Sequence, residues 1–185
     1  MALTISHVAE FDPGAARSGL DVECSSGDLS EVEAVTALVH AVYGGQLQAW
    51  QQRMHRALSR SDYCLLLAFI GGEPVGYGKA NWCEPRGEND QAPAGMFLTG
   101  LVVAPAWRRR GIGEELSRRR LTWVWLRDQA AWFFTSARNR ASLALHARLG
   151  FIEAGRAASY LGKPFDGGVG VLMRADPPAS GDPTQ

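Results

Sequence analysis

The sequence predicts a mixed α+β fold, a central and mostly antiparallel sheet flanked by helices. Three observations carry this. Residues 63–82 read as two strands joined at Gly71-Gly72, the signature of a hairpin. Residues 97–136 run strand, turn, helix, strand, which makes the second strand parallel through a right-handed crossover. Residues 152–161 and 169–174 then read as a closing antiparallel pair, with 164–168 as the loop between them.

The chain has 185 residues, a one-domain length, and its 46% hydrophobic and 21% charged composition suits a globular protein with a real core. The expected organisation is an N-terminal arm or extra strand over 1–18, one domain over 19–175 and a disordered tail over 176–185. Formal net charge is zero, so bulk attraction to nucleic acid or an anionic membrane is not indicated. The arginines instead cluster in the second half, at Arg108 to Arg110, Arg118 to Arg120, Arg127, Arg138, Arg140 and Arg148. That pattern suits a local polyanionic ligand, with part of the Arg118 to Arg120 run read as a solvated helix face. Three cysteines, Cys24, Cys64 and Cys83, lack zinc spacing, and Cys64 and Cys83, in or beside strand-like runs, read as buried thiols. No secretory leader and no apolar run of membrane length is visible, so a cytoplasmic location is expected.

Taken in order, residues 19–25 alternate as a strand. Asp28 or Ser30 can cap the helix that follows, with Ser30-x-x-Glu33 as a capping box. Val32, Val35, Leu38, Val39 and Val42 form its apolar stripe, and Tyr43-Gly44-Gly45 ends it. A second helix is expected over 46–59, with Leu47, Trp50, Met54 and Leu58 at helical spacing. Gly76-Tyr77-Gly78 suggests a bulge or close packing in the second hairpin strand. Residues 83–95 form a polar loop carrying Glu84, Glu88 and Asp90. Gly100 interrupts the next strand, where glycine marks a bulge or a close ligand approach.

Pro105 ends that strand, Arg108 to Gly113 form a tight turn, and a helix starts at Ile112 with Ile112, Leu116, Trp123 and Leu126 inward. A helix N-terminus offers unpaired N–H groups and a partial positive charge, so this corner is suited to phosphate or pyrophosphate. Gly113 is followed by Glu114 rather than the Lys-Ser/Thr of a Walker A loop, and no third glycine completes a dinucleotide fingerprint. A strand over 131–136 and a helix starting near Asn139 and ending at Gly150 come next.

Val103-x-Pro105-x-x-Arg108-x-x-Gly111-x-Gly113 resembles the acetyl-coenzyme A pyrophosphate loop of the GNAT acetyltransferase superfamily. Asn139-x-x-Ser142, running through His146 to Arg148, Gly150 and Phe151, resembles that family's second motif. The resemblance spans roughly residues 19–175 and implies the GNAT fold, with a splayed parallel strand pair at the cofactor cleft. It implies acetyl-coenzyme A as cofactor, bound through Leu101, Val102, Val103, Arg108, Arg109, Arg110, Gly111, Ile112, Gly113, Glu114, Asn139, Ser142, His146 and Arg148. Backbone groups beside Gly100 would hold the pantetheine and the thioester carbonyl. The region after the first helix would line the acceptor side, with Tyr43, Trp50 and His55 as candidate contacts.

The reaction implied is attack of a neutral amine on a thioester, which needs an oxyanion donor, a base and an acid. Where the family usually carries a tyrosine proton donor this chain has His146, which could serve as the acid or simply pack. Tyr160 is a more distant alternative. Family members often place Glu or His on the central strand, but the matching positions hold Phe97 and Thr99. Glu84, Glu88 or Asp90, acting through water, are the remaining candidates for the base. The chain is similar to aminoglycoside 6'-N-acetyltransferase-like members, which implies a small-molecule amine as partner. The alternatives are a protein lysine or N-terminal amine acceptor, or a non-catalytic acyl-coenzyme A sensor. No metal is expected, and dimerisation through residues 1–18 is left open.

Overall fold

The computed structural model describes residues 23–25, 31–165 and 167–178, with side chains from 31 onward apart from residue 43. The arm over 1–18, the start of the first strand, the caps at Asp28 and Ser30, and the end of the tail lie outside the described residues. The described chain divides into two compact units, one formed by residues up to 82 and by 97–123, the other by 83–96 and the residues from 124 onward.

In the first unit, β1 (Glu23–Ser25), β2 (Tyr63–Ile70), β3 (Glu73–Cys83) and β4 (Gly95–Val103) lie in that order in the sheet. β1 and β3 both run antiparallel to β2, and the β2–β3 hairpin turns at Gly71-Gly72 as expected. The register slips between Ala68 and Phe69, leaving Val75 as an extra residue beside Gly76. This is the expected bulge, one position earlier than the sequence suggested.

Helices α1 (Val32–Tyr43) and α2 (Leu47–Leu58) cover one face of this sheet. Val32, Val35, Leu38 and Val39 of α1 and Met54 of α2 pack with Leu65 and Leu67 of β2, Tyr77 of β3 and Val102 of β4. The alternate residues, Leu66 and Ala68 of β2 and Leu101 and Val103 of β4, pack with Ile112 and Leu116 of α3 (Ile112–Trp125). Strands covered on both faces need apolar residues at consecutive positions, and this explains the unbroken Cys-Leu-Leu-Leu-Ala-Phe-Ile run of β2. Cys64 is buried and Cys83 half-buried. α1 begins one residue later than the capping box implies, with Glu31 at the cap position and no side-chain cap bond.

α3 starts at Ile112 as expected but ends at Trp125, where Arg127 and Asp128 donate back to Val124 and Trp125. Leu126 therefore leaves the helix and stands 78% exposed, which corrects its assignment as an inward position. The inward positions are Ile112, Leu116, Ser117, Arg120, Leu121 and Val124. Arg120 is thus buried and not part of a solvated face.

In the second unit, β9 (Gly170–Ala175) lies between β5 (Ala131–Ser136) and β6 (Ile152–Ala157) and pairs antiparallel with both. α4 (Arg140–Arg148) connects β5 to β6. The single strand expected over 152–161 breaks after Ala157 into β6 and a small hairpin of β7 (Ser159–Tyr160) and β8 (Lys163–Pro164). The polar loop explains the break. Asp90 accepts the Leu161 N–H at 3.1 Å, holding the hairpin tip in place of a continuing ladder.

No helix among the described residues is long and apolar enough to cross a membrane, and no metal-ligating cluster occurs among them.

Candidate functional site

The first unit carries the expected strand, loop and helix. Gly100 adopts φ +53° in the middle of β4, a conformation that side chains resist. A Cβ added there would come within 2.5 Å of Lys79 Cε and 3.2 Å of Lys79 Nζ, so the lysine arm lies across this glycine. β4 thus takes a left-handed residue at the glycine the sequence singled out, and the strand continues to Val103. Val102 points into the core at 4% exposure, and Leu101 and Val103 pack toward α3. What these three can offer a ligand is backbone.

After β4 the chain is held in a defined turn. Ala104 N–H donates to Val75 at 2.8 Å, and Pro105–Trp107 form one 3-10 turn closed by Trp107 N–H on Ala104. Arg108 Nε donates back to the Val103 carbonyl at 3.1 Å, tying the loop to the strand end. Arg109 takes φ +65°, an unfavourable backbone for a non-glycine residue. The Arg110 guanidinium stacks over the Trp107 ring at 4.9 Å.

Gly111 follows at φ +84° with open space where a Cβ would stand. The first helical bond of α3 runs from Glu115 N–H to the Gly111 carbonyl at 3.0 Å. The amides of Ile112 and Gly113 precede it and have no acceptor one turn back, so they point out of the helix end. Glu114 and Glu115 are answered within the helix: Glu114 accepts from Arg118 at 3.0 Å, and Glu115 from Arg118 and from Arg119 at 2.8 Å. Hydrogen bonds from Arg119, against the cost of burial, hold the Glu115 carboxyl below its ordinary range. The acids at the start of α3 are thus already paired, and Arg108 to Arg110 immediately precede that helix start in the chain. An open glycine, outward amides and three arginines fit the pyrophosphate of coenzyme A.

The second unit carries the second motif. Asn139 caps α4, its Oδ1 accepting from Ser142 N–H at 3.2 Å while its Nδ2 donates to Thr135 Oγ1 at 3.1 Å. The side chain thereby joins the end of β5 to the start of α4. Ser142 is half-buried and Arg148 exposed.

His146 is 1% exposed, and its ring stacks on Phe133 with centroids 3.5 Å apart and planes 3° from parallel. Phe151 meets its edge at 5.2 Å. Nδ1 lies 2.9 Å from the Ser142 carbonyl, which can only accept, so Nδ1 carries the proton of that hydrogen bond. Tyr160 is also buried, against Phe134 and Phe165, and burial followed by the charges of Glu153 and Asp90 pushes its phenol up.

The acidic loop separates into two kinds of carboxylate. Glu84 and Glu88 are exposed. Asp90 accepts N–H bonds from Arg86 at 2.8 Å, Ala92 at 3.0 Å and Leu161 at 3.1 Å. Burial pushes its carboxyl up, but these N–H donors and that of Gly162 outweigh burial and hold it below the usual value. Asp90 is a loop clamp, and a carboxylate so engaged is a poor base.

Sequence reasoning missed Arg120 and Lys79. Arg120 stands four residues after Leu116 and eight after Ile112, so helical spacing could have placed it inward. Lys79 alternates in a strand and carried no signal of its own.

The Acetyltransferase (GNAT) family matches residues 33–151. No curated protein matches the sequence. Among solved structures, the aminoglycoside antibiotic 6'-N-acetyltransferase of Acinetobacter baumannii is similar at 22% identity and TM-score 0.62, covering 76% of this chain and 97% of its own. The ribosomal-protein-alanine N-acetyltransferase of Brucella melitensis is similar at 20% identity and TM-score 0.65, covering 83% and 99%. An aminoglycoside N-acetyltransferase solved with a coenzyme A bisubstrate analogue of acetylneamine is similar at 21% identity and TM-score 0.65, covering 76% and 97%. At these identities the neighbours speak for the fold, and the family match over most of the described chain speaks for the chemistry. The protein belongs to the GNAT family and is an acetyl-coenzyme A-dependent N-acetyltransferase.

Proposed function

We propose that the acceptor is a primary amine of a small molecule, with aminoglycosides or other amino-antibiotics as the first class to test, attacked directly in a ternary complex. The observation that carries the cofactor side of this reading is the left-handed Gly100 in β4 leading into the arginine loop and the open Gly111 before α3. Acetyl-coenzyme A supplies the activated acetyl group. Arg108 to Arg110 and the backbone of Gly111 to Glu114 would hold its pyrophosphate. Backbone groups from Gly100 to Val103 would hold the pantetheine and the thioester carbonyl, with N–H groups aimed at the developing oxyanion. Asn139, Ser142 and Arg148 would border the pantetheine arm, Asn139 chiefly by ordering the turn.

Glu84 and Glu88 are the proposed bases for the ammonium proton, through water. His146 is proposed as a packing residue. Its Nδ1 is engaged by the Ser142 carbonyl, one face lies on Phe133, and Phe151 packs edge-on against it, which supports a role in the core. The similarity to solved aminoglycoside acetyltransferases and the exposed acids Glu84 and Glu88 support a cationic small-molecule amine. The similarity to a ribosomal-protein-alanine acetyltransferase supports a second reading, a protein N-terminal amine.

The test is thiol release from acetyl-coenzyme A across aminoglycosides, polyamines, amino acids and alanine-started peptides. Turnover confined to aminoglycosides or polyamines is expected. Turnover confined to peptides would replace the first reading by the second. Saturable binding with no release on any amine would favour a non-catalytic sensor.

A further inference from the structure

We propose that Arg120 is a positioning residue for acetyl transfer, its buried guanidinium clamping β3 to β4 beside Gly100 and so fixing the backbone that would receive the thioester carbonyl. The proposal rests on the reading of β4 given above.

Arg120 is 1% exposed and heads the largest fully buried side chains among the described residues. Its Nη1 donates to the Lys79 carbonyl of β3 at 2.9 Å and to the Thr99 carbonyl of β4 at 3.3 Å. Nη2 donates to Ser117 Oγ at 2.8 Å, and Nε to the Leu116 carbonyl at 3.1 Å. One side chain of α3 thus grips both strands at the residue immediately before Gly100. The Thr99 hydroxyl adds a second tie, donating to Asn81 Oδ1 at 2.7 Å.

β3 is shaped for this group. A Cβ on Gly78 would lie 2.7 Å from Arg120 Nε and 3.0 Å from its Cδ and Cζ, so a bare strand position opposite the helix is needed to admit the guanidinium. The arrangement is expensive if its purpose is cohesion alone. Among the described residues no carboxylate faces Arg120, and a buried cation compensated only by carbonyls and one hydroxyl carries a desolvation cost that Leu or Met would avoid. Burial draws its pKa down to about 10, with Cys64 and Tyr77 opposing, so the group remains a cation at neutral pH.

The requirement that justifies the cost is geometric. A left-handed residue within a strand turns carbonyls away from their ladder partners, and one rigid fork with several donors can satisfy two strands at once. A lysine, with a single nitrogen, cannot reproduce that set. Small displacements at a reacting centre are costly to rate, so the clamp would act on kcat more than on cofactor affinity.

The test compares Arg120→Met, Arg120→Lys and Gly78→Ala with Leu121→Ala, a core truncation at the next position of the same helix. Arg120→Met and Gly78→Ala are expected to lower kcat by about tenfold or more while coenzyme A affinity and KM stay within about threefold. Arg120→Lys should fall between. Leu121→Ala should lower thermal stability with kcat per folded molecule unchanged. Equal kcat in Arg120→Met and Leu121→Ala would overturn the proposal. Should Arg120→Met fail to fold, Gly78→Ala displaces the same guanidinium and decides the question. Absence of turnover by the wild-type protein would count against the reading of β4. Amide hydrogen exchange at Gly100 and Leu101 then decides: faster exchange in Gly78→Ala than in Leu121→Ala upholds the clamp, and equal exchange overturns it.

Discussion

Gly100→Ala perturbs the point on which the site reading turns, and its cost has two separable parts. The first is the backbone: at φ +53° an L side chain is disfavoured by about 1–2 kcal/mol. The second is steric. The new Cβ would lie 2.5 Å from Lys79 Cε and 3.2 Å from Nζ, with Tyr77 Cε2 at an ordinary 3.7 Å. The obstacle is the far end of a flexible arm, so moving it costs an off-rotamer side chain, roughly 0.5–1 kcal/mol, and not a backbone shift. The sum is about 1.5–3 kcal/mol, which for a chain of this length is a fall in Tm of about 3–12 °C. Thermal and urea unfolding of Gly100→Ala, Lys79→Ala and the double variant separate the parts. Lys79→Ala should recover the steric part in the Gly100→Ala background and leave the backbone part intact. A Gly100→Ala protein within about 0.5 kcal/mol of wild type, inside the range of ordinary surface substitutions, would refute the argument for a left-handed residue in β4.

Three further perturbations address the second unit. Asn139→Ala removes the α4 cap and should cost about 1 kcal/mol in urea unfolding, with Asn139→Ser recovering most of it. An acetyl-coenzyme A KM that stays raised in Asn139→Ser would add a direct cofactor contact to the capping role. His146→Ala should cost about 2–4 kcal/mol by emptying the stack on Phe133, whereas His146→Phe keeps the packing and loses about 1 kcal/mol with the Ser142 bond. A fall in kcat of about 10²–10⁴ in His146→Phe, the range for a lost general acid, would return the acid role to this residue. Asp90→Asn is a pH experiment. The folded carboxyl is held below its unfolded value near 3.9, so its stabilisation is complete above that value and lost as pH falls through the lower folded one. Wild type should exceed Asp90→Asn in stability by a constant margin above about pH 5, and that margin should shrink as pH falls below the unfolded value.

The elements legible in the sequence were those whose residues obey one local rule. β2 and β5 coincide with the apolar runs at Tyr63–Ile70 and Ala131–Ser136, and α3 begins at Ile112, where the glycines end the loop. The two motifs also fall where expected, because a helix start and an Asn cap depend on neighbours in sequence. What escaped depends on distant partners. Leu126 fits the helical period of α3, but Asp128 takes φ +52° and ends the helix first. Asp90 looked like one of three equivalent acids until Leu161, far along the chain, donated to it. Arg120 was read by its charge, whereas its spacing from Leu116 and the bare Gly78 opposite decide its position. For His146 the residue type suggested proton chemistry, and only the stack on Phe133 shows how it is packed.

The most direct test of the account is a calorimetric comparison of coenzyme A and dephospho-coenzyme A, which both carry the pyrophosphate, with pantetheine, which lacks it together with the adenosine, at two salt concentrations. The account assigns the Arg108 to Gly113 loop and the start of α3 to that pyrophosphate. Coenzyme A and dephospho-coenzyme A should bind saturably, each at least about tenfold tighter than pantetheine, and weaken as salt screens the arginines. Equal affinity for dephospho-coenzyme A and pantetheine, or dephospho-coenzyme A binding indifferent to salt, would contradict the assignment of this corner.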